Sequence, residues 1–331
     1  MRVAEVVEIT QGELLSHPSI SAFGAITANL ERLKRGDLFI ASEPALLKEA
    51  IARGAYGVIF SGTAEIFDDE IAWIRVGSLD EALLRLLRYE MISNDSRVVL
   101  LPPIEWKIAQ NLLAHKRAFF FEGKPLALFE HIRESYEWYF FCEPMYERVS
   151  PNVIRAAPPL ETPFEVTSHT LFDTKLFFDG HHHTLALPQL FLKPLANVLH
   201  LFNTHHLPFD LAKFTPIDSL YPCFLNAKSK ITKYGQSNRV AIAERDLESF
   251  ERYAAYLKIN AKWARILFVI PAIYAELFEN FNLVRSYENE KELLAILIKE
   301  EYNFALVLGV GLSFLEEHLK EQPHESLLFD F

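Results

Sequence analysis

The sequence has few cysteines, no excess of basic residues and no long hydrophobic run, and each shortage excludes a class of protein. Of its 331 residues two are cysteines, Cys142 and Cys223, too few and too far apart for a disulfide framework or a zinc site. We expect two reduced thiols in a reducing compartment. No apolar run approaches the ~20 residues of a membrane span. With 33 basic against 44 acidic residues the net charge is −11, which disfavours nucleic-acid binding.

The sequence also lacks a serine-nucleophile motif and the pattern of a signal peptide. No Gly-x-Ser-x-Gly stretch is present, so the usual serine-nucleophile motif is absent. The N-terminus, MRVAEVVEIT, alternates and carries Glu5 and Glu8, a pattern that predicts a strand and no signal peptide. We therefore expect a cytoplasmic protein without nucleic-acid partners.

The most informative stretch is residues 97–113, RVVLLPPIEWKIAQNLL. Val98–Leu101 predicts a buried strand, and apolar residues at helical spacing predict a helix after a seven-residue junction, Leu101–Lys107. In an α/β protein such a junction can hold a phosphate loop, which needs glycines, a lysine and a hydroxyl. Here it contains two prolines, an acidic Glu105 and no glycine, and Ile108 offers no hydroxyl. Lys107 is the one candidate anion ligand left.

The remaining pattern is that of an α/β protein. The first 90 residues predict strands at 37–41, 56–60 and 71–76 and helices at 46–53 and 80–90, the second with Asp80 as its N-cap. The last hundred predict strands at 240–243 and 266–270, a buried strand that meets a glycine turn within 305–311, and helices at 247–257 and 313–320.

Three segments, GDLFIAS (36–42), LLKEAIARGAYGVIF (46–60) and IRVGSLDEALLRLLRYE (74–90), resemble the N-terminal domain of the Mur ligases. These enzymes add amino acids or peptides to UDP-MurNAc, and the MurF and MurE branch is the most similar. The resemblance places Lys107 on the lysine of the family's ATP loop and Arg239 on an arginine position of its C-terminal domain. An exposed salt bridge explains Arg239 equally well.

The resemblance implies a three-domain α/β fold. Its parts are a Mur-ligase N-terminal-like domain (1–93), a shortened, degenerate central domain that was once an ATPase (94–228), and a Rossmann-like C-terminal domain (229–331).

The departures from the family pattern concern its reactive residues. A Thr-Asp-Ser-Arg stretch that contacts the UDP-sugar falls on residues 28–31, where Glu31 replaces the arginine. We find no magnesium-binding segment and no lysine that matches the carbamylated one, and a further family motif that aligns with residues 244–249 does not match. The sequence therefore predicts no catalytic residues and no cofactor.

Two other segments could each form either a ligand site or a structural turn. Six of the twelve histidines lie between residues 181 and 206, and His181 and His183 could bind one metal ion, with Asp179 completing a weak site. We favour a solvated hairpin turn. Gly309-Val310-Gly311 could meet a phosphate, but a lone G-x-G favours a structural turn.

These observations favour a non-catalytic binding or scaffold protein, a pseudoenzyme, linked to peptidoglycan precursor synthesis. Its partner would be a protein or a cell-wall precursor. Two alternatives stay open: a divergent ATP-dependent amino acid or peptide ligase acting on a UDP-MurNAc-type or other substrate, and a histidine-rich metal-binding module.

Overall fold

The structure is a computed structural model that describes residues 1–131 and 136–320. The chain forms two compact units, each built from separate segments. The first contains Met1–Trp106, Ala114–Ala157 and Leu201–Pro208, and the second contains the remaining described residues. The predicted three-domain boundaries at 93 and 228 stay a prediction.

The first unit begins with a five-stranded sheet in the order β1-β5-β4-β3-β2, in which only β1 is antiparallel. Helix α3 packs on it, and Ser78 caps α3 through its side chain. The elements are α1 (Val3–Thr10), β1 (Glu13–Leu14), β2 (Ile26–Thr27), β3 (Leu38–Ile40), α2 (Leu46–Ala52), β4 (Gly57–Ser61), β5 (Ala72–Val76) and α3 (Leu79–Ser93).

Two predictions about this sheet's helices are wrong. The alternating N-terminus is helix α1 and not a strand, because Val3 and Val6 share a helical face that packs into the core. The Glu5 carboxylate accepts the Arg2 backbone N–H at 2.8 Å and closes the first turn. In α3 the N-cap is Ser78, and Asp80 lies in the first turn, where its charge suits the positive end of the helix.

A second sheet of the first unit is fully parallel, with the order β7-β8-β6-β9. Its centre is nearly all apolar, and Val98, Tyr139 and Phe141 join Leu83 and Leu87 of α3 in one buried cluster. The elements are β6 (Arg97–Leu100), α4 (Pro103–Leu112), β7 (Ala118–Phe121), α5 (Pro125–His131), β8 (Trp138–Phe141) and β9 (Val153–Arg155).

The second unit contains a three-stranded antiparallel sheet, β10-β11-β12, and a five-stranded sheet in the order β13-β14-β17-β15-β16. The larger sheet is parallel except for β13, and its core combines aliphatic side chains with Tyr287 and Tyr302. The strands are β10 (Glu165–His169), β11 (Thr174–Phe178), β12 (His181–Leu185), β13 (Cys223–Phe224), β14 (Val240–Glu244), β15 (Ile266–Pro271), β16 (Val284–Tyr287) and β17 (Phe304–Leu308).

The later helices are α6 (Leu192–Thr204), α7 (Leu247–Asn260), α8 (Glu290–Lys299) and α9 (Leu312–Leu319). The predicted strands and helices of the last hundred residues are thus confirmed as far as residue 320. Of the helices in the described chain, none combines the length and apolar character needed to span a bilayer.

Candidate functional site

The junction between β6 and α4 is much shorter than predicted. The strand ends at Leu100 and the helix begins at Pro103, so only two residues separate them instead of seven. Proline suits the first helical position because its φ is preset and its missing N–H has no partner to lose there. The Leu101 N–H donates to Phe141 O at 2.9 Å, so this residue still belongs to the edge of the sheet. No loop is left to surround a phosphate.

The first turn of α4 is filled by its own side chains. Glu105 is 7% exposed and places a carboxyl group at the helix N-terminus, where its oxygens are acceptors like those of a phosphate. Trp106 donates from its indole nitrogen to Phe140 O at 3.0 Å and packs edge-on against the Phe120 ring. A bulky indole therefore occupies the position just before Lys107, where a phosphate loop has a glycine.

Lys107 lies in the second turn of α4 and pairs within its own unit. Its Nζ lies 2.6 Å from Asp218 Oδ1 and 3.0 Å from Ser219 Oγ. Both side chains of the ion pair are partly exposed, 32% for the lysine and 58% for the aspartate. The contact holds residues 218–219 to the helix, and binding of an anion by Lys107 stays a prediction.

Arg239 contacts the end of α8 and has no carboxylate partner among the described residues. Its Cζ lies 4.5 Å from the Tyr302 ring centroid, and Nη1 donates to Ser229 Oγ at 2.9 Å. Nη2 donates to carbonyls at the C-terminal end of α8, those of Leu297, Ile298 and Glu300. Arginine in this position satisfies carbonyls that have no partner inside the helix. The exposed salt bridge that the sequence suggested is not observed.

The histidine segment forms a hairpin. Asp179 and Gly180 both have positive φ, 48° and 79°, and make the two-residue turn, whereas the histidines lie in strand β12. His181 and His183 share a face, and His181 Nδ1 lies 2.8 Å from Asp179 O. Within residues 1–131 and 136–320 these histidines have no third metal ligand beside them. Metal binding here stays a prediction.

One group of three potential metal ligands in the described chain was missed by the sequence analysis. Glu122 follows β7, and Cys142 and Glu143 follow β8, so parallel pairing brings them to one edge. Their ligand atoms lie within 4.8 Å of one another, a set that suits a divalent ion such as zinc. Burial and both carboxylates raise the pKa of the Cys142 thiol to about 12, so a metal would have to displace its proton. The two glutamates are 21 residues apart, which hides the group in the sequence.

The segment where the family resemblance places the UDP-sugar contact is held by an acidic side chain. Glu130 Oε1 accepts the Ala28 N–H at 2.6 Å and the Thr27 hydroxyl at 3.2 Å. Its other oxygen lies 3.6 Å from Arg32 Nη1. Because these donors already form hydrogen bonds with the Glu130 carboxylate, they are not available to a sugar phosphate.

The glycines after β17 are explained by their own surroundings. Gly309 has a φ of +93°, and a Cβ there would lie 2.8 Å from Tyr287 Oη and 3.0 Å from Pro271. A Cβ on Gly311 would lie 2.7 Å from the Arg245 guanidinium. The favoured interpretation as a structural turn is consistent with these close approaches.

Comparison with solved structures identifies the fold as that of the Mur ligases. MurF from Acinetobacter baumannii matches with a TM-score of 0.59 and 10% identity, over 96% of this chain and 97% of that chain. MurF from Thermotoga maritima in complex with ADP matches with a TM-score of 0.59 and 13% identity, over 88% and 95%. The predicted α/β fold of Mur-ligase type is therefore confirmed. The sequence itself matches no protein-family model and no curated protein.

Proposed function

We propose that this chain is a non-catalytic protein of Mur-ligase fold that acts in the cytoplasm by binding a protein partner in peptidoglycan precursor synthesis. The observation that carries the proposal is the junction between β6 and α4. Two residues connect the strand to a helix that begins with proline, which leaves no loop to surround a triphosphate, and neither Pro102 nor Pro103 has an N–H to donate to it.

The charges at the carboxyl ends of the central strands support the same conclusion. Glu105, Glu122 and Glu143 all follow strands of this sheet, and each brings a carboxylate to the side where α/β proteins bind nucleotides. A nucleoside triphosphate is strongly anionic, so these carboxylates would repel it unless a metal ion intervened.

The two cations expected to contact ligand are engaged elsewhere. Lys107 is paired with Asp218, and Arg239 caps helix α8. The link to precursor synthesis rests on the fold, since the similar structures are ligases of that process by name. The alternative of a divergent ligase would need a different phosphate site.

Thermal unfolding of the full chain with Mg·ATP, UDP-MurNAc and a UDP-MurNAc peptide, each alone, tests the proposal. A ligand that binds only the folded state raises the melting temperature in a concentration-dependent way. We expect no shift with Mg·ATP and no phosphate release when all substrates are combined. ATP-dependent phosphate release that is lost in Lys107→Met would overturn the proposal. A rise in melting temperature with a UDP-MurNAc compound alone would indicate that the chain binds a precursor and not a protein partner.

A further inference from the structure

A cleft of about 500 Å³ lies in the first unit, away from the carboxyl ends of the strands. Its walls include Arg97, the first residue of β6, and Asn152, just before β9. Because β6 and β9 are parallel, these positions mark the amino-terminal edge of the central sheet. The volume is in the usual range for a site that binds a small molecule.

Arg97 presents a cation to this cleft. Its Cζ lies 4.8 Å from the centroid of the Trp138 ring, and that ring is only 1% exposed, so it forms a fixed platform. The Arg97 backbone N–H donates to Glu137 O at 2.8 Å. In the described part of the chain the guanidinium itself has no hydrogen bond and no carboxylate partner. Its five N–H donors are therefore available to a ligand.

His205 completes the polar side of the cleft. Its ring lies edge-on to Trp138, with 5.7 Å between the centroids, so Arg97 and His205 share one aromatic support. Burial, followed by the charges of Arg97 and His206, lowers the pKa of His205. At neutral pH the imidazole is uncharged and can donate one N–H.

The other walls limit what can bind. Ser150 Oγ accepts the Asn152 N–H at 3.1 Å, so its own proton can be donated to a ligand. Ile92, which is 53% exposed, and Ile154 contribute apolar surface, and Asp95 contributes a carboxylate. With one arginine and one aspartate in the lining, the cleft suits a monoanion with an apolar part better than a phosphate dianion.

We propose that this cleft binds a small organic monocarboxylate, with its carboxylate on the Arg97 guanidinium and the His205 imidazole and its apolar tail against Ile92 and Ile154. A guanidinium pairs with a carboxylate through two parallel hydrogen bonds, a geometry that a lysine cannot reproduce. This site goes beyond the proposed function and does not depend on it, because it uses no residue of the junction or of the family resemblance.

Fluorine NMR of the full chain labelled with 5-fluorotryptophan tests the site, because Trp138 is one of only four tryptophans. The Trp138 resonance is assigned with Trp138→Phe, and hexanoate is titrated as the probe. We expect a saturable shift of the Trp138 resonance in the wild-type chain, and binding weaker by about tenfold or more in Arg97→Gln, since a charged hydrogen bond of ~1.4 kcal/mol corresponds to tenfold.

The matched control is Arg75→Gln, which removes one positive charge from the same unit at a residue paired with Glu13 and outside the cleft. We expect it to bind hexanoate like the wild type, and Arg97→Lys to bind more weakly. If Arg97→Gln does not fold, Arg97→Lys serves in its place. The proposal is overturned if hexanoate gives no saturable shift, if the Arg97 variant that folds binds it as well as the wild type, or if inorganic phosphate binds more tightly.

Discussion

Two strand-to-helix junctions of this chain differ in composition and in the reason for it. The junction between β6 and α4 has prolines and no glycine, whereas the one between β17 and α9 has Gly309 and Gly311. At the second junction a Cβ would strike the side chains of Tyr287 and Arg245. The chain's own packing therefore explains the glycines, and a glycine turn after a strand is not by itself evidence of a phosphate site.

The largest loss of stability is expected from a substitution at Gly309. Gly309→Ala would force a Cβ into a residue with positive φ and onto the Tyr287 hydroxyl, so we expect a loss of about 3 kcal/mol in the free energy of unfolding. Urea denaturation measures it. Gly235→Ala is the control, because its φ is +74° but no atom lies within 4 Å, and it should cost about 1 kcal/mol. Equal losses in the two variants would show that close packing does not explain Gly309.

The second largest effect is expected at Arg239, whose guanidinium stabilises the end of α8. Arg239→Gln removes the contacts to the end of α8 and to Tyr302, and we expect a loss of about 2 kcal/mol. Chemical denaturation is again the measurement. Arg265→Gln, which breaks an exposed pair with Glu301 at 3.4 Å, should cost about 0.5 kcal/mol or less. An Arg239 variant as stable as the wild type would argue against a capping role.

The third prediction concerns how the thiols of Cys223 and Cys142 change the free energy of unfolding as the pH rises. Burial, with a smaller contribution from Glu316, raises the pKa of the Cys223 thiol to about 12. Since the unfolded value is about 8.5, the stabilisation is complete below that pH and is lost as the pH rises toward 12. We expect stability to fall by up to about 1.4 kcal/mol per pH unit for this thiol.

Urea midpoints at pH 8 and pH 10 measure this loss in the wild type and in Cys223→Ala. The alanine variant should lose less stability between the two pH values. Cys142→Ala is the comparison in the central sheet, where burial and two neighbouring carboxylates also raise the pKa of the thiol to about 12, so it should reduce the pH dependence by a similar amount. If Cys223→Ala has the same pH dependence as the wild type, burial of the thiol is not its cause.

The smallest expected effect is at the central junction. Lys107→Met removes a partly exposed ion pair with Asp218, worth about 0.5 kcal/mol after solvent screening. Differential scanning calorimetry can detect a change of that size. Lys213→Met, which breaks a more exposed pair with Asp210, should change stability even less. A loss of several kcal/mol at Lys107 would mean that this lysine is an essential part of the fold.

Much of the fold could be predicted because its signals are local. The strand at 57–61, helix α2 ended by Gly54, and helices α7 and α9 follow from hydrophobic period and capping residues, whereas α8 was not predicted. Helix α1 was missed because the alternation of residues 7–10 is typical of a strand, although Val3, Val6 and Val7 have the i, i+3, i+4 spacing of a helix.

The candidate sites could be predicted far less well, since their contacts join distant segments. Lys107 meets Asp218, and the cleft joins Arg97 to Trp138 and His205. Nothing in the local pattern marks these pairs. The family resemblance also predicts a site at the carboxyl edge of the central sheet, whereas the cleft lies at its amino edge. Sequence could thus indicate which ligand residues are missing but not where the remaining polar groups converge.

Isothermal titration of Mg·ATP into the wild-type chain and into Lys107→Met shows whether the junction between β6 and α4 binds a nucleotide. A phosphate site at the junction would give saturable heat in the wild type and lose it in the variant. Because the junction has two residues, no glycine and a buried Glu105, we predict no saturable binding in either protein. Saturable binding to the wild type that disappears in Lys107→Met would contradict the account and favour a divergent ligase.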